Sequence, residues 1–267
     1  MNKRIALFDS GFGGLSVLQS ICARHSNFSA IYLADTARAP YGSKSPSEIR
    51  GIALEIMKWF EFQKIDAIVV ACNTTNSIAL DVVKSFAKVP VYDLIESSQE
   101  LIEESRIGVL ATFSTVSSKA YTKKIKSFNE SAFVVEEACP EFVPIIESRQ
   151  LNSDYIREIA SFHLDKILKY ELESIVLGCS HFPLIKPIFD EIIPSHIRII
   201  DPAIGLAIRL DTLLGHIDYS RYSSEDSLDI RFCVTADPQR FSSGVSQWMR
   251  INPKVDIISL RSRSCVF

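Results

Sequence analysis

Short apolar runs alternate with stretches of helical periodicity along most of this chain. Runs rich in Ile, Val and Leu and bounded by turn residues are typical of strands buried inside a parallel sheet. Because strands that alternate with helices form βαβ units, the pattern predicts an α/β fold with mostly parallel sheets. The expected strands lie near residues 4–8, 30–34, 66–71, 90–93, 106–111, 132–136, 174–178, 197–200, 230–235 and 255–259.

The clearest helical pattern runs over residues 46–64. Ser45 is a candidate N-cap, Pro46 suits the first helical position, and Glu48 completes a capping box. Helical spacing then relates the apolar residues Ile49, Ile52, Ala53, Ile56 and Phe60. We therefore predict an amphipathic helix here.

A second amphipathic helix is predicted from Ser153 onward. Its apolar face carries Ile156, Ile159, Ala160, Ile167 and Leu168. His163 falls on the same face. Histidine at such a position is more often a residue of the core boundary than a catalyst, so we expect a structural role for it.

The two halves of the chain repeat similar segments in the same order. Chance similarity between apolar strands is the alternative explanation, but four ordered pairs favour duplication of one α/β unit. The pairs are IALFDSGFGG with IGVLATFSTV, YLADT with VVEEAC, IVVACNTT with IVLGCSHF, and VPVYDLIE with IRIIDPAI. We predict two similar, pseudo-symmetric domains, 1–94 plus 210–267 and 95–209, with an active site in the cleft between them.

Composition narrows the classes of function. The 267 residues are 47% hydrophobic, which is enough for a sizeable core. The net charge is −3, so the chain lacks the basic excess of nucleic-acid-binding proteins. No apolar run reaches the ~18 residues of a membrane span, and the first residues lack the apolar core of a signal peptide. We expect a cytoplasmic protein that binds neither nucleic acid nor membrane.

The six cysteines are expected to be reduced in that compartment. There is no closely spaced CxxC pair and no HExxH motif, so no metal site is predicted. Cys22 and Cys233 are expected to be small buried apolar residues.

A glycine-rich turn, DSGFGG, follows the first strand. It lacks the spacing of a dinucleotide-binding GxGxxG motif and the GK[ST] ending of a P-loop, so a phosphate site is disfavoured. We expect instead a tight turn that presents Asp9 and Ser10 to the cleft. Further polar residues follow other strands, and because ligands bind at the carboxyl ends of parallel strands, we expect them near one site: Asp35, Cys72, Asn73, Asp93, Thr112, Cys179, Ser180, His181 and Asp201.

Cys72 and Cys179 occupy matching places in the two halves, each after an apolar strand and at the expected start of a helix. A helix N-terminus lowers the pKa of a thiol and favours the thiolate. Two thiols across a cleft could remove a proton from a carbon acid and return one to its opposite face, which inverts a stereocentre. A hydrolase with Cys179 as nucleophile and His181 as base is the rival interpretation, but it uses only one cysteine.

The combination of DSGFGGLSVL, ADTARAPYGSKS, ACNTTNS, CPEFVPIIES and LGCSHFPLI resembles the glutamate racemases, within the cofactor-independent aspartate/glutamate racemase superfamily. The resemblance covers nearly the whole chain. Two departures are visible: Ala34 stands where the family often has Gly, and Ser180 where it usually has Thr. Serine keeps the hydroxyl, so only the packing of that turn is affected.

The resemblance implies that Cys72 and Cys179 are the two acid/base residues, with catalytic help from Asp9, His181 and Glu147. It implies further that Cys72 deprotonates D-glutamate and Cys179 deprotonates L-glutamate. The substrate contacts that we expect are Asp9, Ser10, Pro40, Tyr41, Gly42, Asn73, Thr74, Thr115, Ser180 and His181.

The same resemblance implies an enzyme without a cofactor that supplies D-glutamate for peptidoglycan, and hence for cell-wall biogenesis and cell shape. We also expect a homodimer. Two alternatives stay open: a racemase for aspartate or another amino acid of the same superfamily, and a two-lobed protein that binds an acidic amino acid without turnover.

Overall fold

The computed structural model describes residues 2–149, 151, 154–215 and 229–260. The strands are β1 Lys3–Asp9, β2 Phe28–Ala34, β3 Ala67–Val70, β4 Val91–Asp93, β5 Arg106–Ala111, β6 Phe133–Ala138, β7 Ser174–Gly178, β8 Arg198–Ile200, β9 Asp229–Val234 and β10 Val255–Ile257. The α-helices are α1 Gly14–Arg24, α2 Pro46–Phe60, α3 Asn73–Phe86, α4 Leu94–Ser97, α5 Phe113–Ser118, α6 Ala120–Phe128, α7 Phe142–Ser148, α8 Asp154–Leu168, α9 Lys186–Ile192, α10 Pro202–Arg209, α11 Asp211–Leu214 and α12 Pro238–Met249. Two 3₁₀ helices span Ser98–Glu100 and Phe182–Ile185.

The strands form two parallel sheets. The first has the order β10-β9-β2-β1-β3-β4 and the second the order β6-β5-β7-β8. The arrangement β2-β1-β3-β4 therefore recurs as β6-β5-β7-β8, which agrees with a duplicated unit. The predicted α/β class with mostly parallel sheets is confirmed. We call each sheet with its helices a lobe.

Strands β9 and β10 extend the first sheet beyond β2. The chain therefore leaves the first lobe after β4, builds the second lobe, and returns to the first near its C-terminal end. The domain boundaries near residues 94 and 210 stay a prediction, since the sheets locate the strands but not the limits of each domain.

The strand predictions agree with the observed strands to within two residues at each end. Helix α2 has the predicted capping box, with the Glu48 N–H donating to Oγ of Ser45 at 3.3 Å and the Ser45 N–H donating to Oε2 of Glu48 at 2.9 Å. The predicted end at residue 64 is wrong, because α2 ends at Phe60. No glycine or proline follows to mark that end in the sequence.

Apolar side chains cover both faces of each sheet. The first sheet lies between a cluster that contains Leu15 and Phe241 and a second that contains Ile49 and Phe60. Two corresponding clusters enclose the second sheet. This two-sided burial explains why the strands are nearly continuous apolar runs rather than alternating ones.

Helix α8 confirms the predicted apolar face, although Ser153 itself lies outside the described residues. Ile156, Ala160 and Ile167 are buried there, and so is His163. None of the helices in the described residues is both long enough and apolar enough to cross a membrane.

Candidate active site

The carboxyl ends of the central strands of the two lobes face each other. The hydroxyl of Ser180, which follows β7, donates to Oδ1 of Asp9 at the end of β1, at 3.2 Å. The hydroxyls of Thr74 in α3 and Thr112 after β5 lie 3.0 Å apart. Both contacts join residues of different lobes, so the ends of β1, β3, β5 and β7 meet at one place, whereas Asp93 and Asp201 cap α4 and α10.

The glycine-rich turn holds Asp9 and the second lobe together. Oδ2 of Asp9 accepts the N–H groups of Gly11 at 3.1 Å and Gly14 at 2.9 Å. The N–H of Phe12 donates to Oε1 of Glu147 in α7, at 3.0 Å. Carboxylates of the protein therefore already accept these amides, which disfavours the phosphate-loop alternative.

Gly13, like Gly11, lies where this turn packs closely against the second lobe. A Cβ atom at this position would overlap Nδ1 of His181 and Oγ of Ser180. Close approach of the backbone to groups of the second lobe is therefore the physical reason for glycine here.

Cys72 is the N-cap residue of α3 and is 4% exposed. Burial, and after it the charge of Asp9, raise the pKa of this thiol to about 12. The nearby hydroxyl and N–H of Thr75 act on this pKa in the opposite direction, but more weakly. The prediction that the helix start lowers the pKa of Cys72 is therefore wrong, because desolvation outweighs the helix terminus.

The two thiols interact, since ionisation of Cys179 also raises the pKa of Cys72. Cys179 is likewise 4% exposed. It does not open an α-helix as we expected, because a short 3₁₀ helix begins at Phe182 and precedes α9. The proline at residue 183 fits the first turn of such a helix, so the cysteine-bearing turns of the two lobes are similar but not identical.

His181 lies between Cys179 and Glu147. Its Nδ1 lies 3.9 Å from Sγ of Cys179, and its Nε2 donates to Oε1 of Glu147 at 2.7 Å. Burial lowers the pKa of His181, but the contacts with Cys179 and Glu147 outweigh burial and hold this pKa well above its usual value. A cationic imidazole beside Cys179 can stabilise a thiolate or return a proton to it.

Glu147 joins both lobes through one carboxylate. Burial raises its pKa, but the hydrogen bond and charge of His181 and the N–H of Phe12 outweigh burial, so the net pKa is lowered. Arg240 of α12 donates to the backbone carbonyl of Glu147 at 2.8 Å. The carboxylate is therefore ionised and held by Phe12 and His181, while Arg240 fixes the backbone of the same residue.

A chain of hydroxyl groups surrounds the start of α3. Besides its contact with Thr74, Thr112 donates to Oγ1 of Thr115 at 3.0 Å. Asn73 accepts the hydroxyl of Tyr121 at 2.7 Å. Asn73, Thr74 and Thr115, three of the expected substrate contacts, are thus buried and held by groups of the second lobe.

The segment with Pro40, Tyr41 and Gly42 closes against the second lobe. The hydroxyl of Tyr41 is buried and donates to Asp35 at 2.5 Å, whereas Pro40 is exposed. The carbonyl of Gly42 accepts the hydroxyl of Ser114 at 2.8 Å. The Tyr41 hydroxyl therefore fixes this segment to Asp35, and the expected substrate contacts of Pro40, Tyr41 and Gly42 stay a prediction.

A cleft of about 300 Å³ opens beside Glu147. It lies between α7 and α12, and Phe12, Pro40 and Arg240 contribute to its lining. The thiols are not at this surface, since both are buried. Cys72 and Cys179 therefore lie in the interior and not in the lining of this cleft.

Sequence analysis missed several residues that fix the site. Ser16 donates to the carbonyl of Ser180 at 2.7 Å, while Tyr121, Thr75 and Arg240 make the contacts described above. Their partners, apart from that of Thr75, are distant in the sequence, so neither periodicity nor motif spacing could find them.

The described residues contain no group of three or more His, Cys, Asp or Glu side chains placed to hold a metal ion. Cys22, Cys72, Cys139, Cys179 and Cys233 are free thiols, and Cys265 lies outside the described residues. Cys233 is buried as expected, whereas Cys22 is only partly buried.

Comparison with known proteins agrees with this geometry. The family model Asp/Glu/Hydantoin racemase matches residues 15–207. A glutamate racemase of Prochlorococcus marinus (strain NATL2A) is 46% identical over 98% of this chain and 99% of its own length. A glutamate racemase of Francisella tularensis, solved in complex with D-glutamate, has a TM-score of 0.88 at 31% identity, covering 98% of this chain and 99% of its own.

An aspartate racemase of Picrophilus torridus shares only the fold, with a TM-score of 0.61 at 19% identity over 85% of this chain and 99% of its own. The two full-length matches given above, at 46% and 31% identity, are both to glutamate racemases. The chain therefore belongs to the Asp/Glu/hydantoin racemase family and, within it, to the glutamate racemases.

Proposed function

We propose that this racemase interconverts L- and D-glutamate by moving the Cα proton between Cys72 and Cys179. The observation that carries the proposal is the placement of two buried, interacting thiols after equivalent strands, β3 and β7, of two similar lobes. Glutamate as the substrate is supported by the relatives, since the F. tularensis protein was solved with D-glutamate.

The duplicated architecture suits this reaction. L- and D-glutamate have equal free energy in water, so the catalyst must remove a proton from either face of Cα. One thiolate and one thiol on opposite sides do this, and their protonation states exchange on each turnover. Cys72 deprotonates D-glutamate and Cys179 deprotonates L-glutamate.

The two thiols have different charged neighbours, which suit Cys72 to act first as the acid and Cys179 as the base. The raised pKa of Cys72 keeps it protonated near neutral pH, so it is ready to donate a proton. Cys179 lies beside His181, whose raised pKa keeps a positive charge near Sγ of Cys179. The starting state is thus prepared to accept L-glutamate, with Cys179 as base and Cys72 as acid.

Proton transfer alone does not account for the rate. General acid–base catalysis contributes about 10²–10⁴-fold, so positioning and electrostatic stabilisation of the carbanion-like transition state supply the remainder. The amide of Asn73 at the start of α3 and the hydroxyls of Thr74 and Ser180 lie near the thiols and suit the substrate carboxylates. Asp9 borders the same site, since it accepts the hydroxyl of Ser180 and its charge acts on Cys72, and Ser10 follows it in the chain.

Supply of D-glutamate for peptidoglycan, a homodimer and a cytoplasmic location belong to the same proposal. They follow from membership of the glutamate racemases, and the site geometry is compatible with each. The net charge of −3 supports the absence of nucleic-acid binding.

Circular dichroism of incubated amino acids tests the proposal. The purified protein is incubated with L-glutamate, and separately with L-aspartate, without added cofactor. We expect the signal of L-glutamate to decay to zero, and that of L-aspartate to persist. Decay only with L-aspartate would establish the other racemase of the superfamily. Binding of glutamate by calorimetry without any decay would establish the binding protein.

A further inference from the structure

His163 forms an ion cluster outside the active site. It lies on α8 and is 2% exposed. Its Nδ1 lies 2.7 Å from Oε1 of Glu137, and its Nε2 lies 2.9 Å from Oε2 of Glu141. Each ring nitrogen of His163 therefore faces one carboxylate at hydrogen-bond distance. We call His163, Glu137 and Glu141 the histidine clamp.

The histidine clamp joins three elements of the second lobe. Glu137 belongs to β6, and Glu141 immediately precedes α7. The backbone carbonyl of Glu141 accepts the N–H of Ile145 at 3.2 Å, which places Glu141 in the first turn of α7. Lys166 of α8 also donates to Glu137, at 2.6 Å. One buried ring therefore ties α8 to the end of β6 and to the beginning of α7.

Helix α7 carries this constraint to the active site. The ring of Phe142, its first residue, lies 5.7 Å from the ring of His163 and 5.2 Å from that of Phe182, the neighbour of His181. Glu147 lies in the last turn of the same helix and accepts the hydrogen bond of His181. A displacement of α7 would therefore change the distance between Glu147 and His181.

We infer that His163 is a positioning residue for racemisation, because the histidine clamp keeps α7 where Glu147 meets His181. The inference rests on the proposed roles of Glu147 and His181. The expected effect on the rate follows from general experience with enzymes. A misplacement of about 1 Å caused by a distant substitution can lower the rate up to ~100-fold. The alternative is that His163 stabilises the fold alone.

A double-mutant cycle separates these two roles. His163→Phe keeps an aromatic ring and removes both ring nitrogens that contact the carboxylates. In the otherwise native protein we expect kcat to fall about tenfold while KM stays within about twofold. In a Glu147→Gln background the same change should cost less than about twofold, since the partner that it positions is already lost. An equal loss in both backgrounds, or no loss in a folded variant, would overturn the inference.

The α-deuterium isotope effects give a second measurement that overall stability does not alter. His163→Phe should change them for the two enantiomers in the same sense as His181→Asn, since both disturb the half-site of Cys179. An unchanged pair of isotope effects would count against the inference.

Glu141→Ala repeats the cycle if His163→Phe does not fold. The Glu141 side chain is 38% exposed, so its removal opens the histidine clamp without a buried substitution. Asp165→Asn is the matched control, because Asp165 is exposed on the same helix and should leave kcat within about twofold.

The cycle also distinguishes failure of the inference from failure of the proposed function. If Glu147→Gln alone leaves racemisation unchanged, the role of Glu147 is refuted. If Glu147→Gln lowers racemisation, but His163→Phe lowers kcat in that background by the same factor as in the otherwise native protein, the role of His163 is refuted.

Discussion

Oε1 of Glu147 lies 2.7 Å from Nε2 of His181, and each group stabilises the charged form of the other. Both side chains are largely buried, so the pair is shielded from solvent. Since Glu147 also accepts the N–H of Phe12 from the first lobe, the charge state of the pair is coupled to the contact between the lobes.

Glu147→Gln should lower both activity and stability, and the stability loss should depend on pH. The pKa of His181 is raised above its usual 6.5, so its contribution is complete below pH 6.5 and is lost as pH rises through the raised pKa. The pKa of Glu147 is lowered below its usual 4.5, so its contribution is complete above pH 4.5 and is lost as pH falls through the lowered pKa.

The difference in unfolding free energy between the native protein and Glu147→Gln should therefore be greatest between pH 4.5 and 6.5. Urea unfolding across the pH range measures it. Glu191→Gln, which breaks the exposed pair with Arg157, is the control and should show a much smaller difference. A difference that is constant with pH would mean that the pair does not change its charge on unfolding.

Cys72→Ser and Cys179→Ser should each reduce racemisation at least about 100-fold in both directions, because serine is a far weaker acid and a poor base near neutral pH. Both variants should still fold and bind glutamate. Cys22→Ser makes the same chemical change on α1 and should keep nearly full activity. The two-base scheme fails if either single active-site variant racemises at close to the native rate.

Gly13→Ala should lower kcat by about tenfold or more, since the new methyl group would displace His181 and Ser180. Gly51→Ala is a matched control in α2, where a Cβ atom meets no neighbour within 4 Å. That control should keep its activity and gain about 0.5–1 kcal/mol of stability, because alanine favours a helix interior. Steady-state kinetics and thermal unfolding of both variants provide the comparison.

Asp9→Asn and His181→Asn should each slow racemisation in both directions, since the two directions share one equilibrium constant. Asp9 acts on Cys72 through its charge and His181 contacts Cys179, so each should assist the thiol nearest to it. The α-deuterium isotope effect should therefore change unequally for the two enantiomers, with opposite asymmetry in the two variants. Identical isotope effects throughout would leave both residues as scaffolding.

Activity should persist after dialysis against hydroxylamine or a chelator, because the proposed mechanism needs only the two thiols and their neighbours. Spectra of the purified protein should lack aldimine absorbance. Loss of activity that pyridoxal phosphate or a metal ion restores would contradict this mechanism.

Local patterns in the sequence were sufficient to predict the strands, the capping box at Ser45 and the duplication of the α/β unit. Each of these depends on neighbouring residues or on the order of apolar runs. The matching places of Cys72 and Cys179 were visible for the same reason. The end of α2 could not be predicted, since no glycine or proline marks it in the sequence.

Only the tertiary structure decided how the site residues act on one another. The raised pKa of Cys72 arises from burial and from Asp9, and the raised pKa of His181 arises from Cys179 and from Glu147 of α7. The sequence indicated that His163 lies at the edge of the core, but not that two carboxylates face its ring. Desolvation and charge–charge interactions depend on distances between segments far apart in the chain, and the packing of the two lobes sets those distances.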